Sequence, residues 1–226
     1  MVSHRRSTVG GVDTSGPDRP GFAVIDVETT GFSPEVDRIV EVAMVILDAA
    51  GSEIDAFCTL VDPGRDPGPT HVHGISEEML TGAPTFAAIH PHLAQQLSGR
   101  VVVGHNVDRF DLAFLRAECR RVGGDALVAG PIATVDTLRM AQRHLDLPGK
   151  ARLVDCCDHF ALSWVDHHNA LGDARVTAAL LQAMRSLLGD GVLGIAEAQQ
   201  QAEGSSWPGA TDLRPASLDR ATSLAG

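Results

Sequence analysis

The chain has 226 residues, of which 44% are hydrophobic and 21% charged, a composition typical of a globular protein with one sizeable core. The formal net charge of −11 argues against sequence-independent binding of duplex nucleic acid through a basic surface, although bound divalent cations could supply positive charge locally. No apolar run approaches the roughly 20 residues that cross a bilayer, and none follows the first arginines, so we expect a cytoplasmic protein without a signal peptide. The four cysteines lack CxxC spacing and predict reduced, mostly buried thiols.

Hydrophobic patterning divides the chain into three parts. Residues 1–19 are rich in glycine, serine and proline and predict a disordered leader. Residues 20–188 carry strand and helix patterns and predict one domain. The pattern is weaker in residues 189–226, which we expect to form a C-terminal tail that is either disordered or binds a partner.

Strand patterns come first in the central part. Three runs separated by short turns predict an antiparallel meander, with strands at 22–29, 38–51 and 53–63. A Gly/Pro-rich loop follows, and Ser76 is a candidate N-cap for a short helix. Two strands and five helices then alternate: strands near 100–106 and 132–137, helices near 85–98, 107–122, 138–145, 153–162 and 170–188. This order predicts an α/β fold in which helices flank a mixed sheet.

Two carboxylates interrupt the first predicted strand. Asp26 and Glu28 lie two residues apart in the apolar run FAVIDVET, so both side chains project from one face of the strand. They lie at its carboxyl end, where α/β sheets usually bind ligands. Burial of a carboxylate is costly unless it is paired or binds a metal. The alternative is an edge strand that exposes both acids to solvent.

Two predicted helices carry an acid on their apolar side. Asp111 falls in the stripe that contains Leu115, and Asp173 lies one turn before Val176 on the apolar face of the last long helix. Four carboxylates that meet inside a protein cannot all stay ionised without cations, and Mg²⁺ or Mn²⁺ suits oxygen ligands. Two such ions about 3.5–4 Å apart can activate a water and stabilise the leaving oxygen of a phosphodiester.

That chemistry also needs a base for the water. His168 lies five residues before Asp173, in the loop that enters the last long helix, and an imidazole can accept a proton at neutral pH. The neighbouring His167 is a competing candidate, and the residue pattern leaves both histidines open.

Three segments, DVETTGF, VGHNVDRFDLAFL and HNALGDA, resemble the three motifs of the DnaQ-like, or DEDDh, 3′–5′ exonucleases in order and spacing. That family includes the proofreading subunits of bacterial replicative DNA polymerases, RNase T and oligoribonuclease-like enzymes. The resemblance covers residues 20–188 and implies an RNase H-like fold, with a mixed five-stranded sheet flanked by helices.

The resemblance also assigns roles to individual residues. It implies that two Mg²⁺ or Mn²⁺ ions are bound by the four acids Asp26, Glu28, Asp111 and Asp173. By analogy it favours His168 over His167 as the general base. The residues that it implies for binding the 3′-terminal nucleotide are Thr29, Thr30, Gly31, Phe32, His105 and Asn106.

The expected activity is 3′–5′ hydrolysis of single-stranded or frayed DNA ends, which releases nucleoside 5′-monophosphates in proofreading or repair. One alternative is an exoribonuclease of the same family, since no motif here reveals a contact to the 2′-hydroxyl. A second is an accessory subunit that docks onto a DNA polymerase or clamp through residues 189–226. A phosphatase with an aspartyl nucleophile is disfavoured, because that chemistry needs a second Asp where Glu28 stands.

Overall fold

Three of the predicted strands form the antiparallel half of a five-stranded sheet in the computed structural model, which describes residues 20–123, 132–147, 149–164 and 169–207. The strand order is β3-β2-β1-β4-β5. β4 pairs with β1 and β5 pairs with β4, both in parallel, whereas β2 is antiparallel to β1 and β3. The strands are β1 Phe22–Thr29, β2 Ile39–Leu47, β3 Glu53–Leu60, β4 Val101–Gly104 and β5 Thr134–Asp136. The prediction of a mixed five-stranded sheet is confirmed.

The described residues also form eight helices. They are α1 Thr70–His73, α2 Phe86–Leu97, α3 Asp111–Gly123, α4 Thr137–His144, α5 Leu153–Phe160, α6 Ala170–Leu188, α7 Asp190–Leu193 and α8 Ile195–Ala202. None of these helices is long and apolar enough to cross a membrane. α3 begins four residues later than predicted, after turns at residues 107–110, and the segment after Ser76 forms turns rather than the predicted short helix.

Alternate residues of β1 pack into different hydrophobic layers. Phe22 and Val24 contribute to the layer that includes the apolar face of α6, whereas Ala23 and Ile25 contribute to the layer that includes α2 and α3. Because side chains alternate along a strand, the residues that continue the row of Phe22 and Val24 face α6. The next positions in that row are the two acidic ones.

All four cysteines lie within the described residues, and all are free thiols. Cys119, Cys156 and Cys157 are buried and Cys58 is half-buried, as predicted. Burial raises the pKa of the Cys119 thiol to about 12, so it stays protonated at neutral pH.

The folded part of the chain extends beyond residue 188, where the sequence predicted a tail. α7 and α8 follow α6 directly, and Leu193, Ile195 and Ala202 are buried in the same layer as α6. Trp207 is buried against the opposite layer, where its backbone N–H donates to Ser98 Oγ at 2.7 Å. The predicted leader at residues 1–19 and the rest of the predicted tail, 208–226, lie outside the described residues.

Truncation of Ile195 to alanine is expected to lower the free energy of unfolding by about 2–4 kcal/mol, because the side chain is fully buried and its loss leaves a cavity. Val192→Ala is the matched control, since Val192 is exposed on α7 and its truncation should cost less than about 0.5 kcal/mol. Urea unfolding followed by circular dichroism measures both values. Equal effects would contradict the packing of α8 onto the core.

Candidate active site

Three carboxylates meet at the carboxyl end of β1. One oxygen each from Asp26, Glu28 and Asp173 lie within 4.8 Å of one another. β1 supplies the first two, which continue its α6-facing row, and the first turn of α6 supplies the third. The sheet register shifts between Glu28 and Thr29, so pairing with β2 becomes irregular where the acids end. The predicted convergence of these three acids is therefore present.

Asp111 lies beside this group, at the first residue of α3. Its Oδ1 accepts the backbone N–H of Val27 at 3.2 Å, and Val27 lies between the two acids of β1. The Asp111 side chain is buried, as expected for an acid on the apolar stripe of its helix. All four predicted metal ligands are thus adjacent.

Crowding and burial disfavour the charged forms of these acids. Burial, followed by repulsion from Asp111, Asp173 and Glu28, raises the pKa of Asp26 well above its ordinary value. Burial, followed by repulsion from Asp173, Glu41 and Asp111, raises the pKa of Glu28 to about 8. For Asp111 burial is again the main cause, and its pKa is raised to about 7 although backbone N–H groups oppose the shift. A set of crowded carboxylate oxygens that resists ionisation fits hard divalent cations, which would neutralise it.

Glu41 is a fifth acid that the sequence analysis did not single out. It pairs with Glu28 across β1 and β2, and its charge contributes to the raised pKa of both Asp26 and Glu28. Its Oε2 accepts the backbone N–H of Ala170, the first residue of α6, at 2.9 Å. Glu41 therefore fixes the end of the helix that carries Asp173. The signal was available, since Glu41 interrupts the apolar strand IVEVAMVIL as the other acids interrupt β1.

Side chains at the start of α4 hold residues 104–106, the GHN segment at the end of β4. The backbone N–H of Asn106 donates to Asp136 Oδ1 at 3.0 Å, and Asn106 has a left-handed backbone with φ of 78°. His105 contacts Thr137 Oγ1 through Nδ1 at 3.0 Å and the Ala151 carbonyl through Nε2 at 2.9 Å. Burial lowers the pKa of His105, so the ring is neutral at pH 7, with Nε2 donating to the carbonyl. Because both ring nitrogens are engaged internally, Asn106 is favoured over His105 as the substrate contact.

The end of β1 and the loop that follows it contain the other predicted substrate-binding residues. Thr29 Oγ1 donates to the Gly31 carbonyl at 2.6 Å, and Thr30 Oγ1 donates to Asp37 Oδ1 at 3.2 Å. A Cβ atom at Gly31 would lie 2.4 Å from Asp37 Oδ2, so the close approach of this carboxylate requires glycine there. Phe32 follows with 84% of its surface exposed, which leaves its ring free to stack on a base.

An ion pair between the partly exposed Arg38 and the buried Glu118 attaches this loop to α3. The Arg38 guanidinium donates to both oxygens of Glu118, at 2.6 and 2.9 Å, and the Arg38 backbone N–H donates to Thr30 Oγ1. Glu118 is 1% exposed and also pairs with Arg121, which reaches the Pro34 carbonyl. The loop therefore has fixed contacts at both ends.

His168 and its competitor His167 lie outside the described residues, so their roles stay predictions. The next residue, Asn169, caps α6, and its Oδ1 accepts the Gly172 N–H at 2.7 Å. Asp173 donates its own N–H to the Asn169 carbonyl at 3.1 Å. His168 is thus covalently attached to the residue that starts the helix of Asp173.

The mixed sheet flanked by helices, with acids at the carboxyl end of a central strand, is an RNase H-like fold, as the resemblance implied. The exonuclease family model named RNase T matches residues 23–181. Because this match covers well over half of the chain, the protein belongs to the RNase T exonuclease family.

Relatives of known name support the same assignment. The chain is 34% identical over 159 residues to the PolC-type DNA polymerase III of Thermotoga maritima, covering 70% of this chain but only 11% of the relative. It is 34% identical over 172 residues to the DNA polymerase III epsilon subunit of Treponema pallidum, covering 72% of this chain and 75% of the relative. The zinc-bound complex of E. coli exonuclease I with single-stranded DNA is 19% identical, with a TM-score of 0.67 over 79% of this chain and 43% of that one. At this identity the structural likeness concerns the fold.

Without divalent cations, the free energy of unfolding is expected to fall as the pH rises from about 5 to 8. The unfolded carboxyls ionise near 3.8 to 4.5, whereas folded Asp111 and Glu28 hold their protons up to about 7 and 8, so stability present at low pH is lost through this range. We expect a loss of at least about 1 kcal/mol, or about 2–4 °C in Tm, and Mg²⁺ should restore more stability at high pH than at low pH. Thermal unfolding at several pH values, with EDTA or with Mg²⁺, measures the change in stability.

A double variant, Asp26→Asn with Glu28→Gln, should reduce the change of metal-free stability with pH. A metal-free stability that rises with pH would contradict the raised pKa values.

Proposed function

We propose that the protein is a 3′–5′ exonuclease that hydrolyses the terminal phosphodiester of single-stranded or frayed DNA and releases nucleoside 5′-monophosphates. The observation that carries this proposal is the convergence of the Asp26, Glu28 and Asp173 oxygens beside Asp111, in a chain of the RNase T exonuclease family. The chain spans about a tenth of the length of the PolC-type relative. The activity and substrate proposed here are therefore those of this chain, and they are not taken over from the whole relative.

The four acids would hold two Mg²⁺ or Mn²⁺ ions. When bound, such ions lower the pKa of a water and stabilise negative charge on the attacked phosphate and the leaving oxygen. Asp26 would contribute to holding the ions together with its neighbours, because its carboxylate is close enough to Asp111, Asp173 and Glu28 for their charges to raise its pKa. His168 would take the proton from the attacking water.

The 3′-terminal nucleotide would lie against the loop that follows β1. Phe32 offers an exposed aromatic face for stacking on a base, and stacking of this kind is tolerant of sequence. Asn106 approaches from the GHN segment, where Asp136 fixes its backbone. Recognition through a free end and one stacked base suits single-stranded or frayed substrates better than an intact duplex.

We favour DNA over RNA, and a role in proofreading or repair, because the relatives are named DNA polymerase III and the matched exonuclease I complex contains single-stranded DNA. Docking onto a DNA polymerase or clamp through residues 189–226 is the alternative proposal. Residues 190–207 are part of the folded core and do not form a free tail.

Purified protein with Mg²⁺ or Mn²⁺ is expected to shorten a 5′-labelled single-stranded DNA from its 3′ end, giving a ladder of products and free mononucleotides. Asp26→Asn should lower the rate by about 10³-fold or more, because loss of metal-based stabilisation of several kcal/mol has that effect. Asp55→Asn, on the exposed face of β3, is the matched control and should retain the wild-type rate. Internal cleavage products would contradict an exonuclease, and faster degradation of a matched RNA would favour the exoribonuclease alternative.

His168→Ala is expected to lower kcat by about 10²–10⁴-fold, the usual contribution of a general base, while His167→Ala should have little effect. In the wild type, kcat should increase with pH, because only the neutral imidazole can accept a proton from the attacking water. The pH–rate profile under single-turnover conditions measures this. Full activity in His168→Ala would refute the role assigned to His168.

A further inference from the structure

Trp164 contacts the carboxylate of Asp173. The residue lies four positions after the end of α5, and its indole Nε1–H donates to Asp173 Oδ1 at 2.9 Å. The indole also lines a cavity of about 270 Å³ together with Asn169, Gly172 and Arg175, from the cap and first turns of α6. It therefore lies against the end of α6 that carries the third acid of the site.

This hydrogen bond acts on the one carboxylate of the group Asp26, Glu28 and Asp173 that β1 does not supply. Asp26 and Glu28 have their backbone fixed by pairing with β2, whereas Asp173 reaches the cluster from a helix on the neighbouring layer. An aspartate side chain has two torsions, and their values decide whether its second oxygen meets the other acids. A donor on Oδ1 restricts these torsions while leaving lone pairs for a cation.

The donor also offsets repulsion in the metal-free site. Asp173 raises the pKa of both Asp26 and Glu28, so the three groups repel one another when ionised. A neutral N–H donor to an ionised carboxylate makes a charge-assisted hydrogen bond, which is stronger than one between neutral groups. An indole supplies such a donor without adding a positive charge that would compete with a cation.

We propose that Trp164 is a positioning residue that orients Asp173 for binding divalent cations, and that its indole fluorescence reports their binding. This inference rests on the proposed function, because it needs the acid cluster to bind cations. Outer hydrogen bonds to metal-binding carboxylates typically contribute about 10–100-fold in metal affinity.

The chain provides its own control for the fluorescence measurement. It has two tryptophans, Trp164 and Trp207. Trp207 donates its backbone N–H to Ser98, which precedes β4, and β4 pairs with the first residues of β1. Asp26 lies four residues after Phe22, the first residue of β1, and this separation corresponds to about 13 Å at the usual rise per residue of a strand. Trp207 is therefore at the opposite end of the strands from the acid cluster.

The first experiment measures Mn²⁺ binding by isothermal titration calorimetry for wild type, Trp164→Phe and Trp207→Phe. Trp164→Phe keeps an aromatic ring but loses the N–H, and its Kd should rise about 10–100-fold, whereas Trp207→Phe should match the wild type. Raising the Mn²⁺ concentration should restore the kcat of Trp164→Phe to within about threefold of wild type, which a general loss of structure would not allow. Wild-type affinity in a folded Trp164→Phe protein would overturn the inference alone. Absence of Mn²⁺ binding by the wild type would overturn the proposed function, and the inference with it.

The second experiment does not depend on the folding of Trp164→Phe. In Trp207→Phe the remaining indole is Trp164, and its emission should change on titration with Mg²⁺, with the same midpoint as a parallel calorimetric titration of this variant with Mg²⁺. Mg²⁺ is used because Mn²⁺ is paramagnetic and quenches nearby fluorophores without any specific contact. The wild-type change should disappear in Trp164→Phe, where Trp207 remains. An unchanged Trp164 emission at saturating Mg²⁺ would overturn the inference.

Discussion

Repulsion among carboxylates that the fold holds in place is the constraint on which the site depends. Asp26 and Glu28 pair with β2, and β4 pairs with β1 at Phe22–Val24, so the backbone of the two acids is held in the sheet and cannot move apart to relieve the repulsion. The strain instead takes the form of raised pKa values, with the Glu28 pKa at about 8. Such a site is stabilised when cations bind. Without cations, the burial of the apolar side chains on the same strands offsets the repulsion between the carboxylates.

Other acids near the site have the opposite role, because each is supplied with hydrogen-bond donors. Glu118 pairs with Arg38 and thereby anchors the loop of Phe32, and Asp136 accepts the backbone N–H of Asn106. Glu41 belongs to both groups, since it repels the cluster and also accepts a backbone N–H of α6. Acids such as Glu118 thus fix the segments around the site, whereas the acids at its centre are those whose pKa values burial and mutual repulsion raise.

The strands and the four central acids could be predicted from the sequence because each follows from a local pattern. A short apolar run located β1, and an acid on an apolar helical stripe located Asp111. The internal use of His105 could not be predicted, since Thr137 and Ala151 are distant in sequence and meet it only through the order of the sheet. The sequence predicted a tail after α6 because the two short helices bury only five residues between them, and such a pattern is weak without its packing partners.

The net negative charge of the chain couples the binding of cations to the binding of nucleic acid in the proposed reaction. A chain with a net charge of −11, whose central acids repel one another, offers little attraction to a polyanion at that point. Cations in the cluster reverse the local sign, so nucleic acid and cations favour each other's binding, and thermodynamic linkage makes this coupling equal in both directions. Residues that orient the acids, such as Glu41 and Trp164, then influence substrate affinity without touching substrate. In the proposed reaction, specificity for a nucleic-acid end would depend on short-range contacts such as those proposed for Phe32 and Asn106, because the long-range field of this protein does not supply it.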